Sequence, residues 1–116
     1  MTREEFHNVV KEYSQIKLYE NSEKDREFMY IGVDDDALGW YDDKINAVRI
    51  INRFIMFDDN YGHLFVTTPT IPSINMRKAE NFSNKLKDLF KQKKQLEIKI
   101  KMENINKDFA NDWTRI

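Results

Sequence analysis

The clearest alternation of apolar and polar residues lies between residues 45 and 72. Two runs rich in β-branched and aromatic residues flank a polar insert at residues 58–62, and Pro69 and Pro72 close the segment. This pattern is typical of two strands joined by a turn, and it predicts a β-hairpin with strands within residues 45–57 and 63–68. Asn52 interrupts the apolar face of the first strand and predicts a bulge or bend. A helix over residues 45–57 is the alternative, because Ile45, Val48, Ile51 and Ile55 also fit helical spacing.

The N-terminal pattern predicts a helix followed by a strand and a loop. Thr2 and Glu5 have the spacing of a capping box, and apolar residues then recur at helical spacing to about residue 18. The side chains of residues 27–33 can be divided between two faces with a period of two, so these residues predict a strand. Residues 34–43 combine five aspartates with Gly39, Trp40 and Tyr41, and they predict an acidic, aromatic loop.

From Ser73 onward the pattern becomes helical, with Ser73 as the expected N-cap. An apolar seam steps by four and three residues as in a heptad, and it is made of Phe82, Leu86, Leu89, Lys93, Leu96 and Ile100. Apolar and charged residues also alternate without exception over residues 96–102, so a strand there is the alternative. A break is expected at residues 104–106. A second seam contains Ile98, Met102, Ile105, Phe109 and Trp113.

These elements predict an α+β fold in which residues 1–116 form one domain. Its order is αβββα(α): an N-terminal helix, a three-stranded antiparallel sheet and a long C-terminal helix, either continuous or broken, with the helices on one face of the sheet. A helix over residues 75–103 would be roughly 43 Å long, whereas a domain of this size has a radius of gyration of about 13 Å. The C-terminal region 75–113 is therefore expected to overhang, to kink or to mediate dimerisation.

The order helix–strand–strand–strand–helix resembles that of the double-stranded-RNA-binding domain. Arg77-Lys78-Ala79, at the start of the last predicted helix, is similar to the basic helix start of that family. The family has a histidine-bearing loop between its first two strands, where this chain has the acidic residues 34–43. Acid at that position would repel the minor groove of RNA, so the resemblance is limited to the order of elements.

Composition narrows the class of protein. The hydrophobic fraction of 41% and the charged fraction of 34% are typical of a globular chain with a charged surface, and the absence of cysteine excludes disulfides and thiolate metal sites. Residues 1–10 do not have the pattern of a signal peptide, and no apolar run approaches the ~18 residues of a membrane span. We therefore expect a cytoplasmic protein without a membrane partner. The abundance of Asn, Lys and Ile indicates an AT-rich genome, such as that of a low-GC bacterium or its phage.

Charge is divided unevenly along the chain. Residues 1–60 hold 14 acidic and 8 basic side chains, a net charge of −6, whereas residues 61–116 hold 6 and 11, a net charge of +5. The acidic half predicts a protein partner with a basic surface. The candidate contact residues are Asp34, Asp35, Asp36, Trp40, Tyr41, Asp42 and Asp43, because large aromatic residues beside charge are typical of binding hot spots.

No catalytic residue, metal site or cofactor is predicted. The calcium-loop template fails at Leu38 and Ile45, and the three glycines cannot form a phosphate-binding loop. Glu97 and Lys99 have the E-x-K spacing of a nuclease strand but lie in a helical stretch, and His63 has no nucleophile or orienting acid nearby in sequence. The prediction is a small non-enzymatic protein-binding module, such as a phage or mobile-element inhibitor of host defence of the anti-CRISPR kind.

Two alternative functions use the C-terminal helix. Its basic residues could bind phosphates of a nucleic acid, and the candidates are Arg77, Lys78, Lys85, Lys93 and Lys94. Its apolar seam could instead form a structural homodimer, and the candidates are Phe82, Leu86, Leu89, Leu96 and Ile100.

Overall fold

The computed structural model describes the backbone of residues 1–114 and the side chains of residues 1–105, so the Phe109 and Trp113 side chains of the second predicted seam lie outside the described residues. The described chain forms two helices and seven strands. They are α1 (Arg3–Val10), β1 (Lys17–Glu20), β2 (Arg26–Ile31), β3 (Asp36–Asp42), β4 (Ala47–Ile50), β5 (Ile55–Asp58), β6 (Leu64–Thr67), β7 (Ile74–Met76) and α2 (Ala79–Thr114).

The strands form two antiparallel sheets. The main sheet has five strands in the order β1-β2-β3-β4-β7, and β5 pairs with β6 in a separate two-stranded sheet. The α+β class, the antiparallel pairing and the long C-terminal helix are confirmed. The predicted three-stranded sheet is wrong, and the seven strands also depart from the element order of the double-stranded-RNA-binding domain.

Helix α1 begins as predicted but is shorter. Thr2 Oγ1 accepts from the Glu5 N–H at 3.1 Å, and the Glu5 carboxylate accepts from the Thr2 N–H at 3.0 Å, which completes the capping box. The helix ends at Val10. Two successive turns then follow, in which the Tyr13 N–H donates to Val10 O and the Ile16 N–H donates to Tyr13 O. These turns keep Ile16 buried, so the apolar spacing continues beyond the end of the helix. Strand β1 occupies the residues that were predicted as the last turn of the helix.

The predicted acidic loop is mostly a strand. Residues 36–42 form β3 in the centre of the main sheet, and only residues 32–35 and 43–46 form turns. Two features hide this strand in the sequence. Its register with β2 shifts between Met29 and Tyr30, which breaks the period of two. In addition, Gly39 lies inside the strand and not in a turn. Glycine is needed there because a Cβ would lie 1.9 Å from the Arg49 carbonyl oxygen of β4.

The predicted hairpin is present in a different form. Its first strand divides into β4, which joins the main sheet, and β5, which pairs with β6. The predicted bend at Asn52 is confirmed and separates the two strands, whereas the helix alternative over residues 45–57 is wrong. Ile51 and Phe54 on either side of the bend are buried in the core, which explains why the apolar pattern continues across it.

Helix α2 starts later and extends further than predicted. Residues 74–76 form β7 opposite β4 instead of the first helical turn. The helix is then continuous over 36 residues, so the predicted break at residues 104–106 and the strand alternative at residues 96–102 are both wrong. At 1.5 Å per residue it is about 54 Å long. This rod accounts for the 62 Å longest dimension of the molecule and for its radius of gyration of 17.3 Å.

Both helices pack on one face of the main sheet. The Phe6 ring of α1 stacks on Tyr41 of β3 and on Phe82 of α2, with centroid distances of 5.3 and 5.7 Å. In β2, Met29 and Ile31 face this core and are buried, while the alternate residues are only half-buried. The main sheet therefore has an inner face under the helices and a second face on the opposite side.

Candidate binding surface

The second face of the main sheet, here called the open face, carries a row of aromatic and polar side chains. Residues that are directly opposite in an antiparallel pair point to the same side. Tyr19 is opposite Phe28, Phe28 is opposite Trp40, Trp40 is opposite Arg49, and Arg49 is opposite Asn75. This cross-sheet row thus crosses all five strands, from β1 to β7.

The aromatic rings of the open face are in mutual contact. The Phe28 and Trp40 ring centroids are 5.6 Å apart, and the Phe28 and Tyr30 centroids are 6.3 Å apart. Tyr19 meets Tyr30 edge to face at 5.5 Å. The Arg26 guanidinium lies over the Trp40 ring, 5.6 Å from its centroid. Such contacts stabilise by about 0.5–1.5 kcal/mol each beyond the burial of area, so they hold the rings in a defined arrangement.

This arrangement leaves large side chains accessible. Tyr19 is 54% exposed, Arg49 is exposed, and Phe28, Tyr30 and Trp40 are only half-buried. Both helices cover the inner face, and Val66 of the β5–β6 hairpin also packs against the inner core. An accessible cluster of aromatic and arginine side chains is the composition of interface hot spots. The open face is therefore the best candidate binding surface in the described chain.

Carboxylates lie in the turns at the two ends of β3. Asp34 and Asp35 are in the turn between β2 and β3, and Asp43 is in the turn between β3 and β4. Asp35 accepts from Lys17 Nζ, and this hydrogen bond is the main cause of a raised Lys17 pKa. Asp43 pairs with Arg3 at 2.6 Å. The two turns are at opposite ends of β3, about 20 Å apart at roughly 3.3 Å per residue.

The predicted partner-binding residues are consequently divided among several places. Trp40 lies on the open face, and Asp34, Asp35 and Asp43 are exposed in the turns at the ends of β3. Asp36 is half-buried and accepts from Thr67 Oγ1 at 3.2 Å.

Two of the predicted residues have structural partners. Tyr41 points to the inner face, is 1% exposed, and donates its hydroxyl to Met1 O at 3.0 Å. Burial raises its pKa. Asp42 is buried and lies 3.5 Å from Arg26. A single acidic aromatic loop is therefore not what these residues form.

Most of the cross-sheet row was not predicted from the sequence. Of its five members, only Trp40 is among the predicted contact residues. A signal was present in β2, where Phe28 and Tyr30 alternate with the core residues Met29 and Ile31. Two adjacent outward aromatic residues on a strand indicate a face with a use other than solvation.

The predicted nucleic-acid residues do not form one surface. Lys85 is half-buried and donates to Asn52 O at 2.6 Å, and Lys93 is half-buried and donates to Glu97. Lys94 is exposed, as are Arg77 and Lys78. At 100° per residue, Lys93 lies on the same side of α2 as Leu89, which is the side that faces the core.

The predicted dimer seam is part of the core of this chain. Phe82, Leu86 and Leu89 are at most 2% exposed, Ile100 is buried, and Leu96 packs against the same cluster. The dimer prediction through these residues is wrong, because α1 and the inner face of the sheet already cover them. The exposed apolar residues of α2 are instead Ile98, Met102 and Ile105.

Comparison with family models, curated proteins and solved structures found no match for this chain. In the part of the chain that the structure describes, no group of three or more His, Asp or Glu side chains is placed to hold a metal ion. Within the same residues, neither helix combines the length and the apolar character needed to cross a bilayer.

Proposed function

We propose that the protein is a non-enzymatic binding module that docks another protein on the open face of its five-stranded sheet. The observation that carries this proposal is the cross-sheet row, in which Tyr19, Phe28 and Trp40 are followed by Arg49 and Asn75. Tyr, Trp and Arg are the residues most enriched at the energetic centres of protein interfaces. A flat, preorganised aromatic surface also loses little side-chain entropy on binding.

The charges beside the row define the chemistry of the partner. Residues 1–60 supply four of the five strands of the main sheet and carry a net charge of −6, so the partner is expected to carry basic side chains around an apolar or aromatic centre. Rim charges of opposite sign speed association and select among partners, while the central aromatic contacts supply most of the affinity. The sequence-based expectation of a basic partner is thus retained, with the contact surface moved from a loop to a sheet.

The same charges support a protein partner over a nucleic acid on this face. The net charge of −6 on residues 1–60 would repel phosphates. Two of the cations on the face, Lys17 and Arg26, are already paired with Asp35 and Asp42. That the partner belongs to a host defence system stays a prediction from sequence.

The test uses two open-face variants, each with a matched control. Tyr19→Ala removes an exposed ring from the row, and Tyr61→Ala removes an exposed ring at the tip of the β5–β6 hairpin. Arg49→Glu reverses a charge in the row, and Arg53→Glu makes the same change outside the main sheet. All four positions are accessible, so each variant is expected to keep the fold, which circular dichroism checks.

The measurement is the affinity of a purified partner, first identified by crosslinking to the wild-type protein in host lysate. Each open-face variant should weaken binding at least tenfold, and each control should change it by less than threefold. Equal losses in variant and control, or no loss at any open-face position, would exclude this surface. Binding of the purified protein to an oligothymidylate through the same residues would replace the protein partner with a single-stranded nucleic acid.

A nucleic-acid function through α2 is the second candidate. The residues that support it differ from the predicted set. Exposed lysines follow the outward side of the helix at spacings of three, four and seven, namely Lys87, Lys91, Lys94 and Lys101. A gel-shift titration at about 50 and 200 mM salt tests it, since several phosphate contacts lose orders of magnitude in affinity over that range. No shift at the lower salt concentration would exclude this function.

A further inference from the structure

A groove separate from the open face lies between α2, the turn that joins β2 to β3, and the β5–β6 hairpin. Its volume is about 540 Å³, within the range of about 300–1,000 Å³ that small-molecule sites occupy. Its walls include Ile31 of β2, Leu64 and Val66 of β6, and Ile100 of α2. The groove is therefore mainly apolar and is formed by three separate segments of the chain.

One polar atom in the wall of the groove has no hydrogen-bond partner among the described residues. Asn104 Oδ1 is shielded from solvent and makes no hydrogen bond within the described part of the chain. Leaving such an atom unsatisfied costs about 1–3 kcal/mol. An asparagine amide can present either its oxygen or its NH₂ group by turning over, so Asn104 can meet a hydroxyl or an amide of a ligand.

The other polar groups of the groove are occupied or lie at its mouth. Lys93 donates to Glu97, and Asp36 accepts from Thr67. The remaining charges, those of Asp34 and Lys101, are exposed and opposite in sign. The interior thus offers no unpaired charge to a charged ligand, and the three lining carboxylates outnumber the two lysines, which disfavours an anion.

We propose that this groove binds an uncharged, mainly apolar small molecule that carries one hydroxyl or amide group. The polar group of the ligand bonds the Asn104 side chain, and its apolar body lies against Val66 and Ile100. The hairpin supplies one wall, so the ligand joins the hairpin to α2. This inference does not depend on the proposed function, because no residue of the cross-sheet row lines the groove.

The experiment titrates the whole chain with three eight-carbon probes and follows backbone amide signals by NMR. The probes are 1-octanol, octanoate and octylamine, which share an eight-carbon chain and end in a neutral hydroxyl, a carboxylate and an ammonium group. We expect saturable shifts with 1-octanol at residues around the groove, and at least fivefold weaker binding of both charged probes. No saturable shift with 1-octanol, or tighter binding of either charged probe, would overturn the proposal.

Two variants assign the binding to the groove. Asn104→Leu removes the hydrogen bond and should weaken 1-octanol binding about threefold to tenfold, while Asn84→Leu makes the same change at an exposed position of α2 outside the groove and should leave it unchanged. Ile100→Trp fills the groove and should abolish binding. Because Ile100 is buried, the Ile100→Trp result is used only if the circular dichroism of this variant matches that of the wild type. If it does not match, the Asn104→Leu result alone tests the site. Equal affinities of the Asn104→Leu and Asn84→Leu proteins would overturn the proposed site.

Discussion

The substitution Gly39→Ala tests the close approach of β3 and β4 that positions Trp40 on the open face. A Cβ at residue 39 would lie 1.9 Å from the Arg49 carbonyl oxygen and 2.8 Å from the Ile50 Cα. The first distance is about 1.5 Å short of ordinary contact, and both obstacles are backbone atoms that no side-chain rotation can move. The two central strands must therefore separate.

The cost follows from what that separation breaks. Loss of about two ladder hydrogen bonds removes roughly 2 kcal/mol, and a non-glycine residue at a φ of +152° adds about 1–3 kcal/mol. We expect the free energy of unfolding to fall by roughly 3–5 kcal/mol. For a domain of this size, this lowers the melting temperature by roughly 15–30 °C. Urea denaturation and calorimetry measure the two quantities.

Two other glycines provide the control. Gly32 and Gly62 also have positive φ values, of +75° and +79°, but an added Cβ at either would have no atom within 4 Å. Alanine at these positions should cost only about 1–2 kcal/mol, from the left-handed backbone alone. If Gly39→Ala destabilises the protein no more than Gly62→Ala, the steric argument is refuted, and the proposed contact between β3 and β4 with it.

Three further changes test other parts of the fold. Thr2→Ala removes the capping box and should lower the free energy of unfolding by about 1 kcal/mol in urea denaturation. Phe82→Ala should lower it by about 3–5 kcal/mol, whereas Ile98→Ala, on the exposed side of α2, should change it by less than about 0.5 kcal/mol. The side-chain amide of Asn21 donates to Asp25 and is the main reason that the Asp25 pKa is below its ordinary value. A lowered folded pKa stabilises the fold above the unfolded pKa, and this stabilisation is lost as the pH falls through the folded pKa. Asn21→Ala should therefore raise the Asp25 pKa, as measured by NMR titration of its carboxyl carbon.

Each of these predictions has a result that would contradict it. An unchanged stability of Thr2→Ala would mean that the capping box does not hold the first turn. Similar losses for Phe82→Ala and Ile98→Ala would mean that α2 packs on the sheet through a different side. An Asp25 pKa that stays low without Asn21 would assign the shift to the neighbouring Lys44, which lies 3.3 Å from the Asp25 carboxylate.

Local features of the fold were predictable, and pairings distant in sequence were not. The capping box involves residues three positions apart, so its chemistry is complete in the sequence. The seam through Phe82 correctly indicated an apolar helix face. Spacing shows that such a face exists but not what covers it, so the sheet and a second chain were both predicted as covers, and the structure places Phe6 and the sheet against it.

The candidate surface illustrates the same limit. Trp40 was singled out as a binding residue, but its neighbours Phe28 and Arg49 come from other strands. Their alignment depends on register, which the shift beside Met29 alters by one residue and which the sequence does not display. The residue types of the surface were therefore recognisable one by one, whereas their assembly into one row required the structure.

The path of the chain through the main sheet has a consequence for the order of folding. Strands β1 to β4 follow one another as neighbours, but β7 pairs with β4 across residues 51–73, which contain the β5–β6 hairpin. Closing that excursion costs roughly 1.5 kcal/mol more loop entropy than closing the four-residue turn between β3 and β4. A hairpin forms within about 1–10 μs, and its own pairing shortens the loop that remains to be closed.

Helix α2 follows every strand, so only α1 can cover the inner face of the sheet until α2 docks. During that interval Met29, Ile31 and Ile50 are exposed together on paired strands, a condition that promotes aggregation of folding intermediates. We therefore expect docking of the segment Ala79 to Ile100 of α2 to be a late step of folding. Slow synthesis or truncation in this part of the helix would lengthen the exposed interval and reduce the yield of native protein.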